Sequence, residues 1–150
     1  MEKVTAYPDL DGYRFEDLKP GMQATVSRTI TETDLRNFSG VSGDTNPMHL
    51  NEEYARATPF GGCIVHGMLT ASLISAVIGT KLPGPGCIYM SQTLKFLAPV
   101  RVGDTVYATA SVRELIVDKK RAVLTTQCRV KNVIVIDGEA LIKVPSRTPK

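Results

Sequence analysis

Between Ala57 and Thr80 the chain carries no Asp, Glu, Lys or Arg. Pro59, Gly61, Gly62, His66, Gly67 and Gly79 interrupt this stretch. Its clean apolar part therefore falls short of the ~20 residues that a bilayer span requires. From about Val65 to Leu82 it holds Met68, Leu69, Leu73, Ile74, Val77 and Ile78, with Gly67, Ala71, Ser72, Ser75, Ala76 and Gly79 among them. That spacing predicts a helix apolar on all sides, and such a helix belongs inside a core. "LPGPG" ends it, because proline cannot continue a helix. The rest of the chain has to supply a layer that wraps it.

That layer is legible downstream, where the hydrophobic period changes to two. "CIYMSQTLKFLAPV" puts Ile88, Met90, Leu94 and Phe96 on one face. "DTVYATASVREL" sets Val106, Ala108, Ala110 and Val112 against Tyr107, Thr109, Ser111 and Arg113. "RAVLTTQCRV" and "VIVIDGEALIKV" complete about four antiparallel strands, with Lys119-Lys120-Arg121 at a hairpin tip. Asp137-Gly138 fits a two-residue hairpin turn or a glycine bulge. The flanking runs are short, so a bulge in one long strand is expected.

Upstream, Pro20-Gly21 turns into a strand in "LKPGMQATVSRTI". "TETDLRNFSG" reads as a helix capped by Thr31 or Thr33, with Asp34 in its first turn, Leu35 and Phe38 buried, and Gly40 near its end. "NEEYARATPF" reads as a short helix capped by Asn51. Helices early and strands late argue for an α+β fold, a sheet curled around one long helix. A partner subunit is expected to cover what the sheet leaves open.

A chain of 150 residues suits one domain that buries about 70% of its unfolded surface. A net charge of +3 with no dense cationic cluster excludes non-specific nucleic-acid binding, while suiting a ligand that carries phosphates. Cys63, Cys87 and Cys128 are odd in number and widely spaced, as expected of free thiols in a reducing cytoplasm rather than of a disulfide framework or a zinc site. Residues 1–20 show no targeting pattern and read as a partly extended arm on a domain spanning 21–150.

The chemistry concentrates in "SGDTNPMH", which contains one of only two histidines. Asn-Pro and Gly-Asp are turn dipeptides, and an ordinary turn accounts for them. Pro47, however, pushes Asn46 out of the helical region. The resulting kink can bring Asp44 and His49 to one side. A carboxylate and an imidazole converging on one point can hold and polarise a water, as adding water to a double bond requires. Gly67 stands where the long helix should begin. A helix N-terminus offers free N–H groups, and glycine lets a substrate carbonyl approach them. Close packing of helix on sheet would also call for glycine there. His66 reads as a supporting, backbone-bonded histidine.

"FSGVSGDTNPMHLNEEYA", "IVHGML" and "LPGPGCIYMSQTLKFLAPVRVGDTV" resemble the (R)-specific enoyl-CoA hydratases, the MaoC-like branch of the hot-dog superfamily. The resemblance covers nearly the whole chain after Gly21. It implies a hot-dog fold, a homodimer or larger assembly with sheets joined edge to edge, and reversible syn hydration of a trans-2-enoyl-CoA to an (R)-3-hydroxyacyl-CoA. It implies Asp44 and His49 as the catalytic pair, Asn46 as the supporting amide, the Gly67 N–H as the thioester-oxygen ligand and Ser75 as a support for the Asp. A coenzyme A thioester is then substrate, with no metal or redox cofactor, and Lys95 and Arg101 are candidates for its phosphates. The acyl tunnel would run between the long helix and the strand from Tyr89 to Phe96. The alternatives are a dehydratase of carrier-protein-bound, branched or dicarboxylic acyl thioesters, and a non-catalytic acyl-CoA-binding or assembly module.

Overall fold

The computed structural model describes residues 7–148. Two short 3-10 turns, Pro8–Leu10 and Phe15–Asp17, precede strand β1 (Gln23–Thr29). Helices α1 (Glu32–Ser42), α2 (Pro47–Leu50), α3 (Glu52–Arg56) and α4 (Gly67–Thr80) follow. Strands β2 (Ile88–Gln92), β3 (Lys95–Phe96), β4 (Thr105–Ile116), β5 (Arg121–Val130) and β6 (Val133–Lys143) complete the chain. The strands form one antiparallel sheet in the order β1-β4-β5-β6-β2, with β3 also paired to β6. Apart from β1, the helices precede the strands, and the long helix α4 packs mainly on β1, β4 and β5.

The core sits in that contact. Ile74, Val77 and Ile78 of α4 are buried against Val106, Ala108, Ala110 and Val112 of β4, the four residues that alternation assigns to one face. Each large aliphatic side chain buried there contributes roughly 1.5–3 kcal/mol. α4 is not covered all round, however. Met68 is 55% exposed, and Ser72, Ser75 and Gly79 are exposed on the same helical face. Ile88, Met90 and Phe96, expected on one face, are exposed as well. For Ile88 and Met90 the physical reason is position: β2 is a sheet edge, and a register shift between Tyr89 and Ser91 breaks its alternation; Phe96 lies on β3.

β6 is one long strand, as expected, but its irregularity falls elsewhere. Asp137 and Gly138 pair regularly with Gln127 and Thr126, and the register shifts at Val135, between the Cys128 and Arg129 pairings. Gly138 answers a different need: a Cβ there would lie 1.9 Å from the Thr93 carbonyl oxygen, which crosses it between β2 and β3.

The expected arm is tied down from Gly12 onward; residues 1–6 lie outside the described part. The N–H groups of Gly12, Tyr13 and Phe15 donate to the carbonyls of Pro85, Pro83 and Pro145. Phe15 and Leu18 enter the chain's own core. Glu16 accepts from the Ser146 hydroxyl and the Arg147 N–H, and these bonds, the Ser146 one foremost, hold its carboxyl down at about 2.

At the start of α1, the Thr31 side chain accepts the Asp34 N–H and Asp34 accepts the Thr31 N–H. Arg28 of β1 donates twice more to Asp34, at 3.1 and 2.5 Å. The Arg28 guanidinium, together with these backbone bonds, lowers the Asp34 carboxyl to about 2. α1 runs past Gly40 to Ser42 and stops at Gly43, whose φ of 77° gives the left-handed cap that ends the helix. The three cysteines are free, and burial pushes the Cys128 thiol up to about 12.

Candidate active site

The irregular loop expected after α1 contains a helical turn. Asn46 is extended (φ −51°, ψ 124°), its side-chain oxygen accepts the Met48 N–H, and Pro47 opens the turn of α2. Asn-Pro is thus an N-cap followed by proline at the first helical position. Its own N–H donates to Asp44 Oδ1 at 3.2 Å. Asn46 therefore fixes both the carboxylate before it and the turn that carries His49. The Asp44 carboxylate is exposed and receives only this bond from the protein among the described residues.

His49, at the end of that turn, is buried. Its Nδ1 lies 2.7 Å from the Ile64 carbonyl. A carbonyl only accepts, so Nδ1 carries the proton and Nε2 is left with a bare lone pair in the neutral ring. The Ile64 segment is itself held, with the Ile64 N–H donating to Met48 and the Val65 N–H to Val100. His66 follows as the N-cap of α4, and its ring stacks on His49 with centroids 3.9 Å apart. One donor atom from each of Asp44, His49 and His66 lies within 4.8 Å of the others, close enough for a divalent ion or for one water.

No side chain caps α4. The first N–H groups of a helix have no intrahelical partner, so those at Gly67 and beyond face whatever occupies the space beside them. That space is a pocket of about 470 Å³. Asp44, His49, His66 and Gly67 line one part of it, and Val65, Met68, Phe96, Leu97, Val100 and Ile136 give it apolar walls. Its size suits a small-molecule site with few polar groups. The close packing expected at Gly67 is present. The residue lines the pocket, and a Cβ on it would meet the Phe96 ring at 2.7 Å. His49 also borders a second cavity of about 770 Å³ with more polar walls, including Glu32, Arg36, Thr45 and Glu52.

The structure brings Asp44, Asn46, His49, His66 and Gly67 together, while Ser75, Lys95 and Arg101 do not line the 470 Å³ pocket. Ser75 is eight positions along α4, about 12 Å from its start, exposed, and makes no hydrogen bond to Asp44. The Arg101 guanidinium donates to the carbonyls of Phe60 and Cys63, braces the loop before α4 and lines the second cavity, which His49 also borders. Lys95 is exposed on β3, opposite Asp137. Of the Tyr89 to Phe96 segment, only Phe96 reaches the pocket. Phe60, Leu97 and Ile136 of the wall were not anticipated; no local pattern marks them, since they meet only through the fold.

Residues 16–135 match the family described as "MaoC like domain". The chain belongs to the MaoC-like family. An (R)-specific enoyl-CoA hydratase from Rhodospirillum rubrum is 53% identical over 139 residues, covering 93% of this chain and 96% of that protein. A 3-hydroxybutyryl-CoA dehydratase from Methylorubrum extorquens is 50% identical, covering 93% and 89%. The unliganded R-hydratase PhaJ1 from Pseudomonas aeruginosa has the same fold, with a TM-score of 0.84 at 41% identity over 91% of this chain and 88% of that one. The fold of this MaoC-like chain is the hot dog, an α+β arrangement in which an antiparallel sheet wraps one long helix. No helix among the described residues is long and apolar enough to cross a membrane.

Proposed function

We propose that this MaoC-like chain is an (R)-specific enoyl-CoA hydratase, adding water reversibly and syn across a trans-2-enoyl-CoA to give an (R)-3-hydroxyacyl-CoA. One juxtaposition carries the reading: a carboxylate and an imidazole with a bare Nε2 share a pocket with the uncapped start of α4. The Gly67 N–H binds the thioester oxygen, makes C3 electrophilic and stabilises the enolate as charge builds. Water held by Asp44 and His49 gives up a proton to the pair as its oxygen bonds to C3. A proton from the pair then reaches C2 on the same face, so no net proton is consumed. The two groups act as one unit, and dehydration is the same path reversed. Asn46 holds Asp44 in place. The scheme uses neither a metal nor a redox cofactor.

The apolar walls take the acyl chain, and Lys95 beside Phe96 is the cation proposed for a coenzyme A phosphate. A homodimer belongs to the same proposal. The open β2 edge, with exposed Ile88, Tyr89 and Met90, and the uncovered face of α4 are what a second copy would bury. A cytoplasmic setting accords with three free cysteines. A second reading draws on a tomato mitochondrial protein named 3-hydroxyacyl-[acyl-carrier-protein] dehydratase, 40% identical over 133 residues. Hydration of crotonyl-CoA, followed by loss of enoyl-thioester absorbance and by product chirality, tests the first. Turnover of crotonyl-carrier protein with inert crotonyl-CoA would replace it with the second.

A further inference from the structure

His66 is 1% exposed and takes no part in the scheme above, yet it touches both members of the pair. Its Nε2 lies 3.1 Å from the Asp44 carbonyl oxygen and 3.1 Å from Ser39 Oγ. The carbonyl cannot donate, so Nε2 carries the proton and Nδ1 is bare. Nδ1 is buried and has no hydrogen-bond partner. A second proton there would be a buried donor without an acceptor, which the fold resists. Burial likewise lowers the pKa of the ring below the ordinary imidazole value. One face of His66 stacks on His49 at 3.9 Å and 27°, and Phe38 of α1 lies 4.8 Å from it. The titratable groups against it are Asp44 and His49; Ser39 and Phe38 bring no charge.

We infer that His66 is the positioning residue of the Asp44–His49 pair: a neutral imidazole whose Nε2–H holds the Asp44 backbone and whose face supports the His49 ring. A fixed backbone at Asp44 and a fixed ring at His49 leave the two reacting groups little freedom to drift apart. The kinetic part of this inference rests on the hydratase reading; the tautomer does not.

The chain has two histidines, so nitrogen NMR of the untagged protein resolves both imidazoles, and His49→Gln assigns them. Expected is a His66 that stays neutral and Nε2-protonated as the pH is lowered through the ordinary imidazole value of about 6.5. For kinetics, His66→Phe keeps a stacking ring without the donor, and His66→Gln restores an N–H near Nε2. Displacements on the order of 1 Å cost about 10²-fold. The Phe variant should therefore lose about that in kcat at unchanged KM, and the Gln variant should recover at least about tenfold of it. An Nδ1-protonated or cationic His66 at neutral pH, or a folded Phe variant with wild-type kcat, would overturn the inference. Should neither variant fold, the wild-type spectrum decides alone. Failure of the wild type to hydrate any enoyl thioester would sink the hydratase reading and leave the measured tautomer of His66 unaffected.

Discussion

Asp34 and Asp44 stand at opposite ends of α1 and live in opposite environments. Asp34 is nearly buried and saturated, taking bonds from Thr31 and two from Arg28. Asp44 is exposed and takes one bond, from the Asn46 N–H. The first is locked as a carboxylate and can neither accept a proton at working pH nor meet a ligand. The second keeps lone pairs for a water. A carboxylate's partners, more than its position, decide whether it is a strut or a reagent.

The largest effect expected from breaking this contrast is on rate. Asp44→Asn should lower kcat/KM for crotonyl-CoA hydration by about 10²–10⁴-fold, with a melting temperature close to wild type. A folded Asn variant with wild-type activity would remove Asp44 from the mechanism. Asp34→Ala should do the reverse. Losing the cap and the charge-assisted bonds costs about 2–3 kcal/mol, read by urea unfolding, with kcat little changed in the folded fraction.

A pH series sharpens the comparison. The Asp34 carboxyl ordinarily titrates at 3.8 and is held at about 2 in the fold. Its contribution to stability is complete above the unfolded value and is lost as pH falls through the folded one. Acid unfolding between those two values should therefore be steeper in wild type than in Asp34→Ala, and equal slopes would show that Asp34 is not locked. The smallest effect concerns Gly67, which packs on Phe96 and is proposed to bind the thioester. Gly67→Ala should lower kcat/KM by roughly tenfold through misplacement of the substrate. Adding Phe96→Ala makes room for the methyl but leaves it over the helix N–H. Recovery in the double variant would mean that Gly67 serves packing alone.

The sequence makes α4, its proline stop, β4's buried face and the α1 and α3 caps legible, because each follows from local periodicity or capping chemistry. Asp44, His49 and Gly67 were legible because Asn-Pro has few conformations and a glycine stood at a helix start. What escaped depended on distant neighbours. Phe15 and Leu18 sit in a segment without periodicity, and their place in the core goes with bonds from this segment to the distant carbonyls of Pro83, Pro85 and Pro145. The bulge at Val135 leaves no glycine as a marker, and the glycine that suggested one faces Thr93 instead. The bonds from Arg101 to the Phe60 and Cys63 carbonyls join stretches some forty residues apart and leave no mark in local spacing.

Part of the pocket's apolar wall, Phe60 and Val65, shares a stretch of chain with its polar groups, and part does not. The groups proposed to react lie on one contiguous segment from Asp44 to Gly67, while Leu97, Val100 and Ile136 come from beyond α4. Inheritance can therefore act on them separately. A lineage can change which acyl groups it accepts by altering Ile136 or Leu97 without retuning proton transfer, much as a lathe changes its chuck and keeps its motor. Competition between short and long enoyl thioesters on Ile136→Ala reads this independence directly: a changed preference at unchanged crotonyl turnover is its signature, and a matching loss on every substrate is its refutation.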